Sequence, residues 1–188
     1  SSFVLDLTHW WPILAGGGIV FLGGVYDDIR PLPVYGKFLF QAAGALMAIA
    51  LGVRIDHVSL FGGEVVELGM LTLPLTFLWI VGMTNAVNLA DGLDGLAGGL
   101  SLISFTGIAY LAYQANEPLL VLLMVSVLGG LLGFLRFNSY PARIFMGDAG
   151  SQFLGHYLAV AAILLIDSTR TAYSPLLALF LWGVPLLD

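Results

Sequence analysis

Apolar residues run in long stretches along this chain, divided by short polar segments, without the strict alternation that marks a half-buried strand. A bilayer core about 30 Å thick needs roughly 20 apolar residues per helix, and about 17 at the least. Seven stretches qualify or nearly qualify, at approximately 10–26, 37–53, 71–89, 93–113, 118–135, 151–166 and 175–187. The first stops at Asp27-Asp28-Ile29-Arg30, followed by the helix-breaking Pro31 and Pro33. Stretches three and four, joined, would be far too long for one bilayer, so the glycine-rich 90–95 segment must break them. Between stretches two and three, Val58, Leu60, Val65, Val66 and Leu68 surround Gly62-Gly63, which predicts a short extracytoplasmic β-hairpin near 56–68. The expected fold is an all-α polytopic membrane bundle of about seven helices, one domain over residues 1–188. Glycine runs at 16–18, 98–99 and 129–130 suit close helix packing in lipid.

Composition agrees and narrows the choices. Of the 188 residues, 59% are hydrophobic and 10% charged, against about a quarter charged in soluble domains. The absence of cysteine excludes disulfides and thiolate metal sites. A net charge of -6 argues against nucleic acid as a partner. The chain opens on Ser1-Ser2, without an initiator methionine or a basic signal-peptide flank, which reads as a piece of something longer.

Crossing parity then sorts the charges. One side, side A, receives 27–36, 90–94, 136–150 and residue 188; side B receives 1–9, 54–70, 114–117 and 167–174. Arg30, Lys37, Arg136 and Arg143 fall on side A against Arg54 and Arg170 on side B, so the positive-inside rule makes side A cytoplasmic. All three glutamates lie on side B. Side A holds only aspartates: Asp27, Asp28, Asp91, Asp94, Asp148 and Asp188.

Clustered carboxylates repel one another, and a cation is their natural neutraliser. Oxygen-only donors favour Mg²⁺, with Mn²⁺ as a substitute. Lys37, Arg136 and Arg143 suit phosphate oxygens, and the glycines around Asp148 let backbone N–H groups approach an anion. Together these features predict metal-assisted phosphoryl transfer at the membrane face. Structural alternatives stay open at single positions. Asp27-Asp28 can be a solvated helix-end pair, Asp94 an N-cap and Asp148 a first-turn acid. Asn85, Asn88, Asp91 and Asp94 share one face if the stretch is helical throughout, and the two asparagines can equally be interhelical glue. Phe145 can be interfacial, while His9 and His57 look structural and His156 suits an interhelical hydrogen bond.

Three motifs bring these residues into one frame: Gly23-Gly24-Val25-Tyr26-Asp27-Asp28 with Lys37-Phe38-Leu39-Phe40-Gln41; the run Asn85 to Gly99; and Phe145-Met146-Gly147-Asp148-Ala149-Gly150-Ser151. The chain resembles the polyprenyl-phosphate N-acetylhexosamine-1-phosphate transferases (glycosyltransferase family 4) over essentially its whole length, most of all the UDP-GlcNAc:undecaprenyl-phosphate enzymes. The resemblance implies transfer of a sugar-1-phosphate from a UDP-sugar to polyprenyl phosphate, with release of UMP and a requirement for Mg²⁺. It implies a bacterial cytoplasmic membrane location with the site on the cytoplasmic face. Its partners would be the prenyl lipid, a UDP-N-acetylhexosamine and the bilayer, with a homodimer left open. Asp27, Asp28 and Lys37 would be catalytic, with Asp27 as candidate base. Asp148 and Asp91 would hold metal, and Asn88, Asp94, Arg143, Phe145 and Gly147 would bind substrate, Phe145 by stacking on uracil. Relative to the family the chain would be shortened at both ends, lacking the first helices and a histidine-bearing loop. Phospho-N-acetylmuramoyl-pentapeptide transfer is the nearest alternative. An intramembrane aspartyl protease or an ion-coupled transporter is a more distant one, since neither explains Lys37 and six acids gathered on one side.

Overall fold

The computed structural model describes residues 11–59 and 65–169, with side chains described to residue 166. Among the described residues six α-helices follow one another: α1 (Trp11–Ile29), α2 (Val34–Ala50), α3 (Thr72–Ala90), α4 (Leu96–Gln114), α5 (Pro118–Asn138) and α6 (Gly147–Thr169). All but α2 are long and apolar enough to cross a membrane, and α2 is an apolar helix of 17 residues. The chain is a multi-pass, all-α membrane protein. The expected seventh crossing, at 175–187, lies outside the described residues.

The predicted hairpin is present. β1 (His57–Ser59) pairs antiparallel with β2 (Val65–Glu67), His57 facing Glu67 and Ser59 facing Val65. The Ile55 N–H donates to Thr76 Oγ1 at 2.9 Å, which ties the hairpin's stem to the first turns of α3.

Helix ends depart from the sequence reading in one consequential way. α1 does not stop before the acids but runs through Asp27 and Asp28 to Ile29. The Arg30 N–H still reaches the Tyr26 carbonyl at 2.8 Å, and proline then stops the ladder. The two acids therefore ride on a rigid last turn rather than in a loop.

α3 ends at Ala90, so Asn85, Asn88, Asp91 and Asp94 do not form one helical face; the last two belong to a turn that reverses the chain. Gly95 sits at φ 73° at the start of α4, a conformation that costs glycine nothing, and no side chain caps that helix. The expected Asp94 N-cap is thus absent, because the turn carries Asp94 away to another partner.

The bundle is organised around α6. It packs against α1, α3 and α4, and more lightly against α2. From Ser151 to Ile166 every residue except Phe153 and Leu164 is buried. A Cβ on Gly24 would lie 2.4 Å from Ala149 Cα, and one on Gly155 would lie 2.7 Å from Thr84 Cα, so α1 and α3 touch α6 backbone to backbone. The Trp79 indole N–H donates to the Ala159 carbonyl at 3.2 Å across the α3–α6 seam. Of the glycine runs expected to mediate packing, Gly16, Gly17 and Gly98 do so, whereas Gly18 and Gly99 do not. Gly129 and Gly130 meet nothing within 4 Å, because they face outward on α5. His156 lies fully buried against Gly16, and neither ring nitrogen has a hydrogen-bond partner among the described residues. The interhelical bond expected there is not made, since that seam offers glycine and no side-chain acceptor.

Candidate active site

The side-A ends of α1, α2 and α6 converge, with the turn after α3 beside them. Asp27, only 7% exposed, lies in the last turn of α1. Its Oδ1 accepts the Leu32 N–H at 2.6 Å, and its Oδ2 lies 2.7 Å from Lys37 Nζ. Lys37 comes from the first turns of α2, which the preceding prolines start in the right place. Its ammonium also contacts Asp148, in the first turn of α6. One cation thus joins two carboxylates separated by more than a hundred residues.

Asp28 has a different role from its neighbour. Its two oxygens accept the backbone N–H groups of Asp148 at 2.9 Å and Ala149 at 3.1 Å. It therefore satisfies donors at the start of α6 that a helix leaves open, and an acid there opposes the positive end of the dipole. Gly147 makes the contact feasible: its φ is 67°, and a Cβ there would lie 2.8 Å from Asp28 Oδ2.

Asp27, Asp28 and Asp148 each offer an oxygen within 4.8 Å of the others. Two of these carboxylates share one ammonium and the third accepts backbone N–H groups, and hard oxygen donors of this kind suit a divalent cation. Asp91 stands in the turn after α3, outside that tight group. Burial pushes its carboxyl up to about 6, and the charges of Asp148 and Asp28 add to the effect. It therefore feels the cluster's field without belonging to its core.

The remaining predicted residues lie outside the carboxylate cluster. Asn88 accepts the Ser151 hydroxyl at 2.7 Å, which joins α3 to α6 one turn below the cluster. Asp94 accepts the Ala142 N–H at 2.9 Å and so holds the loop between α5 and α6. Arg143 is exposed and has no ion pair among the described residues, and Phe145 is 76% exposed in the same loop. The structure does not bring these two side chains into the carboxylate cluster.

Three polar residues to which the sequence reading gave no role complete the arrangement. Buried Asn138 accepts the Gly95 N–H at 3.1 Å and donates to the Ile144 carbonyl at 2.9 Å, joining both side-A turns. Ser151 bonds Asn88 as above. Gln152 donates to Asp148 and accepts from Gln41 at 3.1 Å. A signal existed for Gln41 and Gln152: each lies four residues beyond a charged group, on the same face of an apolar helix.

Fold and site together define a polytopic membrane protein with an acid–lysine cluster gathered at one end of its helices. Residues 10–166 match glycosyl transferase family 4, and the chain belongs to that family. It is 42% identical over 189 residues, covering all of this chain and 53% of the relative, to the probable undecaprenyl-phosphate N-acetylglucosaminyl 1-phosphate transferase of Bacillus subtilis (strain 168). It is 48% identical over 168 residues, 85% of this chain and 50% of the relative, to the phospho-N-acetylmuramoyl-pentapeptide-transferase of Lactococcus lactis subsp. cremoris (strain MG1363). A transferase of the same name from Lactobacillus gasseri is 42% identical over 173 residues, 86% of this chain and 54% of the relative. The chain spans about half the length of these curated relatives.

Proposed function

We propose that the intact protein transfers N-acetylhexosamine-1-phosphate, most specifically GlcNAc-1-phosphate, from a UDP-sugar to polyprenyl phosphate at the cytoplasmic face of a bacterial inner membrane. The observation that carries this reading is Lys37 seated between Asp27 and Asp148 at the membrane end of three helices. Family membership and the name of the Bacillus subtilis relative support the donor and the acceptor.

An oxygen of the lipid phosphate attacks the β-phosphorus of the UDP-sugar. The new P–O bond forms as the bond from that phosphorus to the bridging oxygen breaks, and UMP leaves with the bonding electrons. Lys37 steers the lipid phosphate toward the reacting centre and offsets its charge. Asp27, held by Lys37 and the Leu32 N–H, accepts a proton where the acceptor arrives as a monoanion. Asp28 orients the start of α6 and with it Asp148. Asp148, with Asp28 beside it and Asp91 close by, would hold Mg²⁺, while Asp27 keeps the proton-accepting role. When bound, that ion supplies charge neutralisation of the pyrophosphate. Exposed Phe145 offers a stacking face for uracil, and Arg143, Asn88, Asp94 and Gly147 complete the donor site.

The test is to incubate the intact gene product with undecaprenyl phosphate and a panel of UDP-sugars, with and without Mg²⁺, and to weigh the lipid product. UMP release with UDP-GlcNAc is expected only with metal, and Asp148→Ala should abolish it. Persistent release in excess chelator would remove the metal from the reading. The names of the Lactococcus and Lactobacillus relatives favour a second donor, UDP-N-acetylmuramoyl-pentapeptide, and the same panel decides between the two.

A further inference from the structure

Below the acid–lysine cluster, where an apolar interior would be expected, α2, α3 and α6 each contribute one amide to a continuous chain. Gln41 and Gln152 are each only 2% exposed, and Asn85 is half-buried. The Asn85 amide nitrogen donates to the Val81 carbonyl at 2.9 Å and to Gln41 Oε1 at 2.7 Å. Gln41 Nε2 donates to Gln152 Oε1 at 3.1 Å, with Asn85 Oδ1 a longer second acceptor at 3.4 Å. Gln152 Nε2 donates to Asp148 Oδ2 at 3.2 Å.

The chain has a direction. The Val81 carbonyl only accepts, so it settles which end of the Asn85 amide is nitrogen. Each following amide is then oriented by its predecessor, and the last donor points at the carboxylate. Gln152 and Lys37 reach the same oxygen of Asp148, one from below and one from α2. Turning any one amide would set oxygen against oxygen at the next link.

Buried amides are costly to place in a bilayer, and one crossing pair is enough to hold two helices together. A three-helix chain that ends on a candidate metal ligand has the form of the outer support that fixes such ligands. We propose that Gln41, Gln152 and Asn85 are positioning residues which hold the Asp148 carboxylate in the orientation that receives a divalent cation. This inference rests on the metal role given to Asp148 above.

The test is Mn²⁺ titration of the detergent-purified intact gene product, read by electron paramagnetic resonance, beside thermal melting without metal. Gln41→Met and Gln152→Met keep the side-chain volume and remove the hydrogen bonds; each is expected to weaken Mn²⁺ binding about 10- to 100-fold. The double variant should be no weaker than the worse single by more than about twofold, because one cut already breaks the chain. Each single variant is informative by itself, so either decides the matter if the other does not fold. Lowered melting temperature with Mn²⁺ affinity unchanged would reduce the chain to helix glue and overturn the proposal. Additive losses in the double variant would overturn it as well. Failure of the wild-type protein to bind Mn²⁺ would instead strike the metal role itself, and this inference with it.

Discussion

α5 and α6 are both long enough to span a bilayer, and they are used in opposite ways. α5 is the more apolar, with Ser126, Arg136 and Asn138 its polar side chains, yet only five of its 21 residues are buried. α6 carries Asp148, Ser151, Gln152 and His156 among its apolar residues and lies at the centre of the bundle. In water the more apolar helix would be the buried one. In lipid, tails satisfy an apolar face as well as protein does, so the interior goes to the helix whose small and polar residues need protein neighbours. The same rule explains why the site is built on the N-terminus of α6 and not on α5.

The largest effect should come from the cation that α6 depends on. Lys37→Met removes the ammonium shared by Asp27 and Asp148 and should lower UMP release on the order of 10²- to 10³-fold. An assay of the intact protein showing less than a tenfold loss would mean that α6 does not draw its chemistry from this contact. Next is packing. Gly155→Leu would set a side chain against the Thr84 backbone, where nothing can give, while Gly130→Leu on α5 meets nothing within 4 Å. The first should destabilise at or beyond the upper end of the usual range of about 1–3 kcal/mol for overpacking, and the second should leave melting unchanged. Equal melting temperatures would erase the contrast between the two helices.

A smaller effect, of opposite sign, is expected at His156, a buried polar group of α6 without a hydrogen-bond partner among the described residues. His156→Leu should raise stability by about 1 kcal/mol, since a buried donor without a partner is removed. Differential scanning of the purified variant measures it, and a fall would mean the ring has a partner in the membrane. The smallest effect concerns the turn beside α6. Burial and neighbouring acids hold the Asp91 carboxyl up at about 6, so its neutral form is favoured in the folded state. The stability this contributes is complete below about pH 4 and is lost as pH rises through about 6. Asp91→Asn should therefore leave metal-free melting unchanged at about pH 4 and raise it modestly at about pH 7, where solvent screens a half-exposed group. Added Mg²⁺ should narrow the difference. A gain confined to acid would reverse the sign and the explanation.

Much of the site was legible before the structure because each acid sits beside a helix-breaking residue. Asp27-Asp28 precede prolines, Asp91 and Asp94 lie among glycines, and Asp148 follows Gly147. Parity alone gathers them on one side. Parity does not show that Asp27 and Asp28 divide their work, one bonding Lys37 and the other holding the first N–H groups of α6. That difference is a matter of one helical step of about 100°, and it exists only once α1 runs on through both residues. Nor does periodicity show that Asn85, Asn88, Asp91 and Asp94 part company, because a three-residue spacing reads alike in a helix and across a turn. The fate of Asp94 depended on where α3 stops. Asn138 was harder still, since a lone amide in an apolar run says only that a partner exists somewhere, and Gln41 and Gln152 were marked only by their four-residue spacing from Lys37 and Asp148.

Read as a sequence, this protein determined the first six of its expected apolar helices, its hairpin, the one end at which Asp27, Asp28, Asp91, Asp94 and Asp148 lie, and the family to which it belongs. These follow from the thickness of a bilayer and the residues that break helices, both local constraints along the chain. Tertiary structure alone decided that α6 is the central helix, that Lys37 joins α1 to α6, and that an amide chain runs beneath Asp148. Those are choices of neighbour between helices, and in lipid no difference in apolarity announces them, so they emerge only when backbones meet through glycine and polar groups find one another.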